Sequence, residues 1–327
     1  MASELRYSIF FTNNENFEET VWRVFRFQSK NCSVYAQYLA ALGLNAEKIT
    51  SVNKIPFLPV SLFKNYTVLA SGLPAQKIFT SSSTTGQGQS NHHVADISLY
   101  EESFLTGFRQ FYGGPDDYCI LALLPGYLER TGSSLVYMAD RLIQLSGHAD
   151  SGFYLYEHKK LADVIEANES VGQKTLVLGV SFALLDFAEQ FHTPLKHTII
   201  METGGMKGRR KELTRAELHG ELKTAWGLGA IHSEYGMTEL LSQAYSKADG
   251  RFVCPSWMKV LTRSADDPFG YAPTGKTGGI NVIDLANLYS CSFIETEDLG
   301  RLHPDGSFEV LGRMDFSEVR GCNTMVG

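Results

Sequence analysis

Short apolar runs alternate with helical patterns through the middle of the chain, and this alternation limits the possible folds more than any other feature. Residues 118–124, 175–180 and 198–201 are typical of strands that are buried on both faces. Apolar residues recur at helical spacing between and around these runs, over residues 98–111, 133–145, 159–168, 182–191 and 213–226. Because strands that alternate with helices form mostly parallel sheets, residues 77–245 predict an α/β fold with helices packed outside the sheet.

Different patterns flank this α/β segment. Residues 16–44 show helical spacing, whereas two prolines make residues 55–60 an extended segment. After Phe252, short β runs are broken by turn residues, which predicts a small antiparallel layer with a hairpin at residues 304–306. We therefore expect a helical N-terminal region packed on the core (1–70), an α/β core (71–250), a β-rich subdomain of the same domain (251–315) and a mobile C-terminal tail (316–327).

Composition argues against several classes of function. The net charge of −7, without a basic run longer than residues 207–211, argues against nucleic-acid binding. The N-terminus does not resemble a signal peptide, and no apolar segment reaches the length of a membrane span. The five cysteines include no C-x-x-C pair, which indicates reduced thiols in a cytoplasmic protein, with Cys119 in the core. The histidines lack metal-ligand spacing, so we interpret His92 and His93 as an ordinary exposed pair.

Six consecutive hydroxyl residues form an unusual segment, which runs from Thr80 to Thr85 and is followed by Gly86 and Gly88. Small residues let successive backbone N–H groups converge, and the hydroxyls add further donors, so this segment suits a phosphate held between two strands. A flexible surface linker is the alternative, because runs of Ser, Thr and Gly are commonly linkers. The segment is not a Walker A loop, since no Gly-Lys-Ser/Thr follows the glycines.

Three later segments complete an ordered set of motifs. Residues 233–239 read Ser-Glu-Tyr-Gly-Met-Thr-Glu and follow a short apolar run. Residues 297–300 read Glu-Asp-Leu-Gly and precede an Asp-Gly turn, and residues 312–315 read Gly-Arg-Met-Asp. Each segment is common alone, whereas the four segments in this order are not.

With these segments the sequence resembles the adenylate-forming superfamily of acyl-CoA synthetases, luciferases and peptide-synthetase adenylation domains. Residues 79–88 look like the family's phosphate loop, and residues 235–239 match its Tyr-Gly-x-Thr-Glu motif. Residues 312–315 match the segment before its hinge. The resemblance implies the large N-terminal domain of these enzymes, which has mostly parallel sheets flanked by helices and a small antiparallel β layer.

Residues 55–64, 130–138 and 203–209 resemble the LuxE-type acyl-protein synthetase branch in particular, which is related to phenylacetate-CoA ligases. This likeness implies an ATP-dependent acid–thiol ligase. Such an enzyme converts a carboxylic acid, in this branch a fatty acid, into an acyl-adenylate and then into a thioester. An acyl reductase is the partner that the likeness implies.

The resemblance also implies a role for each motif residue. It assigns the phosphates of ATP to Ser81, Ser82, Ser83, Thr84, Thr85 and Gly86. Thr238 would bond the α-phosphate, and Glu239 would hold Mg²⁺, a cation that prefers oxygen ligands. Asp298 would accept from the ribose hydroxyls, and Arg313 would supply a positive charge beside them. The adenine would lie against Tyr235, Gly236, Gly204 and Gly205.

The sequence departs from this family in two places. Ser83 stands where many relatives have glycine, and no lysine follows Gly86. The chain also ends soon after Asp315, where most relatives continue into a C-terminal domain whose lysine bridges the carboxylate and the α-phosphate, so we expect that domain to be absent. One hypothesis is that a cation of the large domain replaces this lysine, namely Lys207, Arg209 or Arg210.

The sequence leaves the acyl acceptor open. The LuxE-type branch carries its acyl group on a cysteine near the C-terminus, and Cys322 lies there beside Arg320, whose charge favours a thiolate. The alternatives are an inert tail cysteine with coenzyme A as acceptor, or a non-catalytic nucleotide-binding homologue. Tyr127, Arg130 and residues after Glu239 are candidates for the acid pocket.

Overall fold

Helices and strands lie close to where the apolar patterns predict them. The computed structural model describes residues 2–81, 88–125, 132–204, 213–264, 267 and 269–314. The helices are α1 (Ala2–Ser8), α2 (Phe17–Asn31), α3 (Ser33–Ala41), α4 (Leu62–Asn65), α5 (Ile97–Tyr112), α6 (Ser134–Ser146), α7 (His158–Val171), α8 (Ser181–Ala188) and α9 (Arg215–Trp226). The strands are β1 (Leu58–Pro59), β2 (Lys77–Thr80), β3 (Asn91–Val94), β4 (Cys119–Leu123), β5 (Gly152–Phe153), β6 (Thr175–Val180), β7 (Thr198–Thr203), β8 (His232–Tyr235), β9 (Ala244–Ser246), β10 (Met258–Arg263), β11 (Thr277–Asp284), β12 (Phe293–Leu302) and β13 (Phe308–Arg313).

Local sequence explains where the longer helices begin and end. Asp96 precedes α5, and its carboxylate accepts a hydrogen bond from a backbone N–H of the first turn. Thr214 and Glu217 form a capping box at the start of α9, and Gly227 ends α9 in the left-handed conformation. None of the helices in the described ranges has both the length and the apolarity that crossing a membrane requires.

The central sheet has six strands in the order β5-β4-β6-β7-β8-β9. The pairs from β5 to β8 are parallel, and β9 pairs antiparallel with β8. Every residue of β4 and β6 is buried, and α6 packs against β4 while α8 packs against β6. This topology confirms the α/β fold with a mostly parallel sheet and helices outside it.

The strands next to the hydroxyl run, β2 and β3, form a separate antiparallel ladder in which Phe79 lies opposite His92. The mostly parallel sheet therefore begins at β4 and not at residue 77. Parallel pairing needs a crossover of about a dozen residues or more, whereas antiparallel strands can be joined by a shorter connection, and only residues 81–90 separate β2 from β3. The hairpin thus stands beside the parallel sheet as an element of its own.

The second sheet contains β1, β12, β11 and β10 in that order, with β13 paired to β12. All of its pairs are antiparallel except β1 with β12. Gly306 has a φ of 83° and donates its N–H to His303 O in the turn between β12 and β13, which confirms the predicted hairpin. Strand β1 was predicted only as an extended segment, because two residues carry no strand periodicity.

Contacts of α2 bury the N-terminal helices against this second sheet. The Gln28 amide donates to Asn287 O at 2.9 Å and accepts from the Ser292 N–H at 2.9 Å. The ring of Phe25 packs edge-on against Phe293 of β12, with 5.9 Å between the ring centroids. A buried amide whose donor and acceptor are both paired holds α2 in one position.

Candidate functional site

Tyr235 and Asp298 come from different sheets and are in direct contact. Tyr235 ends β8, and its hydroxyl donates to Asp298 Oδ2 at 2.8 Å across 63 positions of the sequence. Arg313 lies opposite Asp298 in the register of β12 and β13, with its Nε 3.8 Å from Asp298 Oδ1. The two sheets therefore meet at these three side chains.

Burial governs the charge state of this cluster. It raises the pKa of the Asp298 carboxyl, while the Tyr235 hydrogen bond and the Arg313 charge act in the opposite direction. Burial also raises the pKa of Tyr235 well above its ordinary value, so the hydroxyl stays protonated and donates. The Arg313 side chain is 80% exposed, and its guanidinium can reach an anionic ligand in solvent.

Ser81, the second residue of the hydroxyl run, and Ser90, which follows the run, are hydrogen-bonded to each other close to Glu239. The Ser81 N–H donates to Ser90 O at 3.1 Å, and the Ser90 N–H donates to Ser81 Oγ at 2.9 Å. Ser90 also lies beside the Glu239 carboxyl and favours its ionised form. Burial raises the pKa of Glu239, whereas Ser90 and the charge of Arg313 lower it, so Arg313 acts on both Glu239 and Asp298. These interactions connect Ser81 and Ser90 to Glu239, and through Arg313 to Asp298.

Buried side chains fix the backbone at and after Thr238. His92 Nδ1 lies 2.9 Å from Thr238 O, and Asn287 Nδ2 donates to Glu239 O at 2.8 Å. Asp284 Oδ2 accepts from the N–H groups of Leu241 and Ser242, at 2.8 and 3.0 Å. A segment held by three different elements has little freedom to move independently of them.

Gly204 and Gly236 follow β7 and β8 at the same edge of the parallel sheet, where Thr203 pairs with Glu234. Gly204 has a φ of 74°, which favours glycine, and its carbonyl accepts from the Ser181 hydroxyl. A Cβ on Gly236 would lie closer than 3.0 Å to Glu234 Oε1. The ligands of open α/β sheets bind at this carboxyl edge, so both glycines border the expected crevice.

Two buried carboxyls at the ends of β7 and β8 differ in charge. Glu202 lies 3.0 Å from Arg215 and 3.6 Å from His219. Burial would raise the pKa of Glu202, but the nearby His219 and the charge of Arg215 outweigh it and lower the pKa. Burial raises the pKa of Glu234 to about 7; the hydrogen bond from Thr203 opposes this, and the charge of Glu202 adds to it. Glu202 is therefore ionised, whereas Glu234 titrates near neutral pH.

Several of the predicted site residues are close together in the fold. The contacts above connect Ser81, Tyr235, Thr238, Glu239, Asp298 and Arg313. Their roles toward a ligand stay predictions. The remaining candidates lie outside the described residues: Ser82, Ser83, Thr84, Thr85, Gly86, Tyr127, Arg130, Gly205, Lys207, Arg209, Arg210 and Cys322.

Sequence reasoning missed several residues of the site, and for His92 the prediction was wrong. The His92 side chain is buried, with 0% exposure, and both ring nitrogens have partners. Burial alternates along β3, which is the pattern of a half-buried strand, so the period of two was a usable signal. Ser90, Asp284 and Asn287 were not singled out because their partners are distant in the sequence.

The cysteines in the described ranges are poor nucleophiles. Cys32, Cys119, Cys254 and Cys291 are free thiols, and burial raises the pKa of each. Cys119 lies buried in β4, as predicted. No group of three or more His, Cys, Asp or Glu that could hold a metal ion occurs within the part of the chain that the structure describes.

The architecture defines a structural class. It is the fold of the large N-terminal domain of adenylate-forming enzymes, as the sequence predicted. No protein-family model matches the sequence, and a comparison with curated proteins gives no match.

Solved structures give this likeness its detail. ATP-bound MatB from Rhodopseudomonas palustris has a TM-score of 0.55 at 18% identity, over 72% of this chain and 47% of that chain. A 2-hydroxyisobutyryl-CoA ligase in complex with 2-HIB-AMP has a TM-score of 0.65 at 10% identity, over 93% of this chain and 69% of the ligase. The same ligase with 2-HIB-AMP and CoA has a TM-score of 0.65 at 11% identity, over 93% and 68%. The chain spans about half the length of MatB, and at these identities the likeness concerns the fold.

Proposed function

We propose that this chain activates a carboxylic acid with ATP to form an acyl-adenylate and pyrophosphate. The contacts that join Tyr235 to Asp298 and Arg313, with Ser90 beside Glu239, support this proposal most. Hydroxyl donors, a carboxylate and a guanidinium within one neighbourhood are the groups that bind phosphate and ribose. Solved structures with this fold include one with ATP and one with 2-HIB-AMP, which supports the same assignment.

In the proposed complex, one nucleotide contacts all of these groups. Ser81 and the residues of the hydroxyl run hold the β- and γ-phosphates, and Thr238 bonds the α-phosphate. Asp298 accepts from the ribose hydroxyls, with Arg313 beside it. Gly204, Gly205, Tyr235 and Gly236 surround the adenine.

The first step is a displacement at the α-phosphorus. A carboxylate oxygen forms a bond to phosphorus while the bond to the bridging oxygen of the β-phosphate breaks, and pyrophosphate leaves with that electron pair. The protein mainly positions the reactants and neutralises charge. We assign this neutralisation of charge to Arg313 together with Lys207 or Arg209. Lys207 and Arg209 lie outside the described residues.

Glu239 fits the role of a Mg²⁺ ligand. Nucleotide sites commonly hold Mg²⁺ through one or two carboxylates together with substrate phosphates, so one carboxylate is sufficient. Burial raises the pKa of Glu239, and a cation beside it favours the ionised form. When bound, the metal would offset phosphate charge, while Asn287 holds the Glu239 carbonyl in place and Ser90 lies beside the carboxylate.

In the second step, a thiolate attacks the acyl carbonyl carbon and AMP leaves. The four described thiols all have a raised pKa, which disfavours the thiolate form. We therefore propose Cys322 as the acceptor within this chain, with a fatty acid as substrate and an acyl reductase as the next acceptor. These features would make the protein an acyl-protein synthetase of the LuxE type.

Coenzyme A is the second candidate for the acceptor. The 2-hydroxyisobutyryl-CoA ligase with the same fold was solved with 2-HIB-AMP and CoA, and this observation favours the alternative. Reactions with ATP, an acid and coenzyme A separate the two, when both the intact protein and the soluble products are analysed by mass spectrometry. A hydroxylamine-labile adduct that disappears in Cys322→Ser supports the protein acceptor. A soluble CoA thioester that persists in Cys322→Ser supports coenzyme A.

ATP–pyrophosphate exchange across a panel of carboxylic acids tests the first step. Exchange with at least one acid, lost in Asp298→Asn and retained in Asp305→Asn, is the expected result. Asp305 is a matched control because it lies in the exposed turn before β13, where it only accepts from Ser307. Nucleotide binding without exchange for any acid would instead support a non-catalytic homologue.

We also propose the division into residues 1–70, 71–250, 251–315 and 316–327, and a location in the cytoplasm. The free thiols in the described ranges support a reducing compartment. Limited proteolysis that cuts first at these boundaries would support the division.

A further inference from the structure

Ser90, which precedes β3, and His92, which lies in β3, face the two residues of the Thr238-Glu239 pair. Ser90 and His92 are two residues apart, so their side chains leave the extended backbone on the same side. Ser90 lies beside the Glu239 carboxylate and lowers its pKa, and His92 Nδ1 hydrogen-bonds the Thr238 carbonyl. Ser90 is also hydrogen-bonded to Ser81, inside the hydroxyl run. A displacement of β3 would therefore move the groups that face Thr238 and Glu239.

Hydrogen bonding sets the tautomer and orientation of His92. A carbonyl oxygen only accepts, so Nδ1 carries the proton that is donated to Thr238 O at 2.9 Å. Nε2 is then the acceptor for the Ser290 hydroxyl, at 3.0 Å. Phe63 packs edge-on against the imidazole, with 5.6 Å between the ring centroids. Burial lowers the pKa of His92 to about 4, so the ring stays neutral in neutral solution.

We propose that His92 is a positioning residue for adenylate formation. Its Nδ1–H fixes the position of the Thr238 carbonyl relative to β3, the strand that follows the hydroxyl run. This role rests on the proposed function, in which Thr238 and Glu239 contact the α-phosphate and Mg²⁺. Small displacements of groups that align a reaction lower its rate strongly, whereas they change ground-state binding less. The Ser290 bond, at the far side of the ring, serves only to anchor the imidazole.

Two substitutions of His92 separate its two hydrogen bonds. His92→Asn places an amide nitrogen near the position of Nδ1, so it keeps a donor for Thr238 and loses the Ser290 bond. His92→Gln places its amide near the position of Nε2, so it keeps the Ser290 bond and loses the Thr238 bond. Ser290→Ala is the matched control, because it removes the same bond as His92→Asn and leaves the imidazole in place.

The test measures kcat and KM in ATP–pyrophosphate exchange, with thermal unfolding of each variant. We expect His92→Gln to lower kcat by about 10-fold or more, which is the size of one buried hydrogen bond, with little change in the KM of the acid. His92→Asn and Ser290→Ala should stay within about 3-fold of the wild type. Each variant removes one of the two hydrogen bonds of the imidazole, and Ser290→Ala also removes the contact of Ser290 Oγ with Asn287 O at 3.5 Å. Their melting temperatures should therefore fall by similar amounts.

A merely structural role gives a different result. Equal losses of kcat in His92→Asn and His92→Gln would overturn the positioning role, and so would kcat values that fall in proportion to the melting temperatures. In either case the proposed function would stand, provided that the wild-type protein catalyses exchange. Wild type without exchange for any acid would overturn both. If His92→Gln does not fold, unequal kcat values for His92→Asn and Ser290→Ala would still overturn the proposal.

Discussion

Replacement of Glu234 by glutamine should change how stability depends on pH. The Glu234 carboxyl is buried between Thr203 and Gly236, and burial is the main reason why its pKa is about 7 instead of 4.5. The amide oxygen of glutamine can still accept from the Thr203 hydroxyl, so the shape and the hydrogen bond are retained. The substitution therefore removes little except the titration.

The pKa difference fixes the sign and the size of the effect. Between pH 4.5 and about 7 the unfolded chain loses the Glu234 proton while the folded chain retains it, so wild-type stability falls as pH rises through this interval. At about 1.36 kcal/mol per pH unit, the full change is about 3 kcal/mol. The glutamine in Glu234→Gln does not titrate. The free energy of unfolding of this variant should therefore rise by about 3 kcal/mol relative to that of the wild type between pH 4.5 and 7.5.

Urea unfolding at a series of pH values measures this difference. Glu202→Gln is the matched control on the neighbouring strand, and its effect should have the opposite sign. The pKa of Glu202 is lowered, so its contribution is present above pH 4.5 and is lost as pH falls below that value. A constant difference between wild type and Glu234→Gln from pH 4.5 to 7.5 would refute the reasoning.

Three further substitutions test contacts of the site by urea unfolding. Tyr235→Phe removes the donor to Asp298 Oδ2 and should lower the free energy of unfolding by about 1–2 kcal/mol. An unchanged unfolding midpoint would show that this hydrogen bond contributes nothing to stability. Asp284→Asn places one amide nitrogen against backbone N–H donors and should lower the free energy of unfolding by about 2 kcal/mol or more, whereas a neutral effect would contradict these hydrogen bonds. Gly236→Ala should lower the free energy of unfolding by about 1–3 kcal/mol, because the added methyl group would contact a neighbouring carboxyl. Gly229 has open space around it, so Gly229→Ala should leave the free energy of unfolding nearly unchanged. Equal effects of the two substitutions would contradict the packing.

The strands and helices with strong local patterns were predictable from the sequence. The apolar run at 175–180 became β6 with the same bounds, because both of its faces are buried and its composition shows this directly. The hairpin turn at 304–306 was predictable for a similar reason, since Gly306 needs a positive φ that Asp-Gly turns provide. In both cases the signal is local.

Contacts between distant segments were not predictable from local patterns. The parallel pairing of β1 with β12 joins two residues near position 58 to a strand near position 294. Nothing in the local sequence of either segment indicates this pairing. His92 was misread for the same reason, because its partners Thr238 and Ser290 lie 146 and 198 positions away. The proximity of Tyr235 and Asp298 was expected only through the family resemblance, and the hydrogen bond between them is a product of the tertiary fold.

A crystal structure with ATP or a non-hydrolysable acyl-AMP analogue tests the central claim most directly. We predict one nucleotide with its ribose at Asp298, its base beside Tyr235 and Gly204, and its α-phosphate at Thr238. A nucleotide bound elsewhere on the chain, or a purified protein with no affinity for either ligand, would contradict the account.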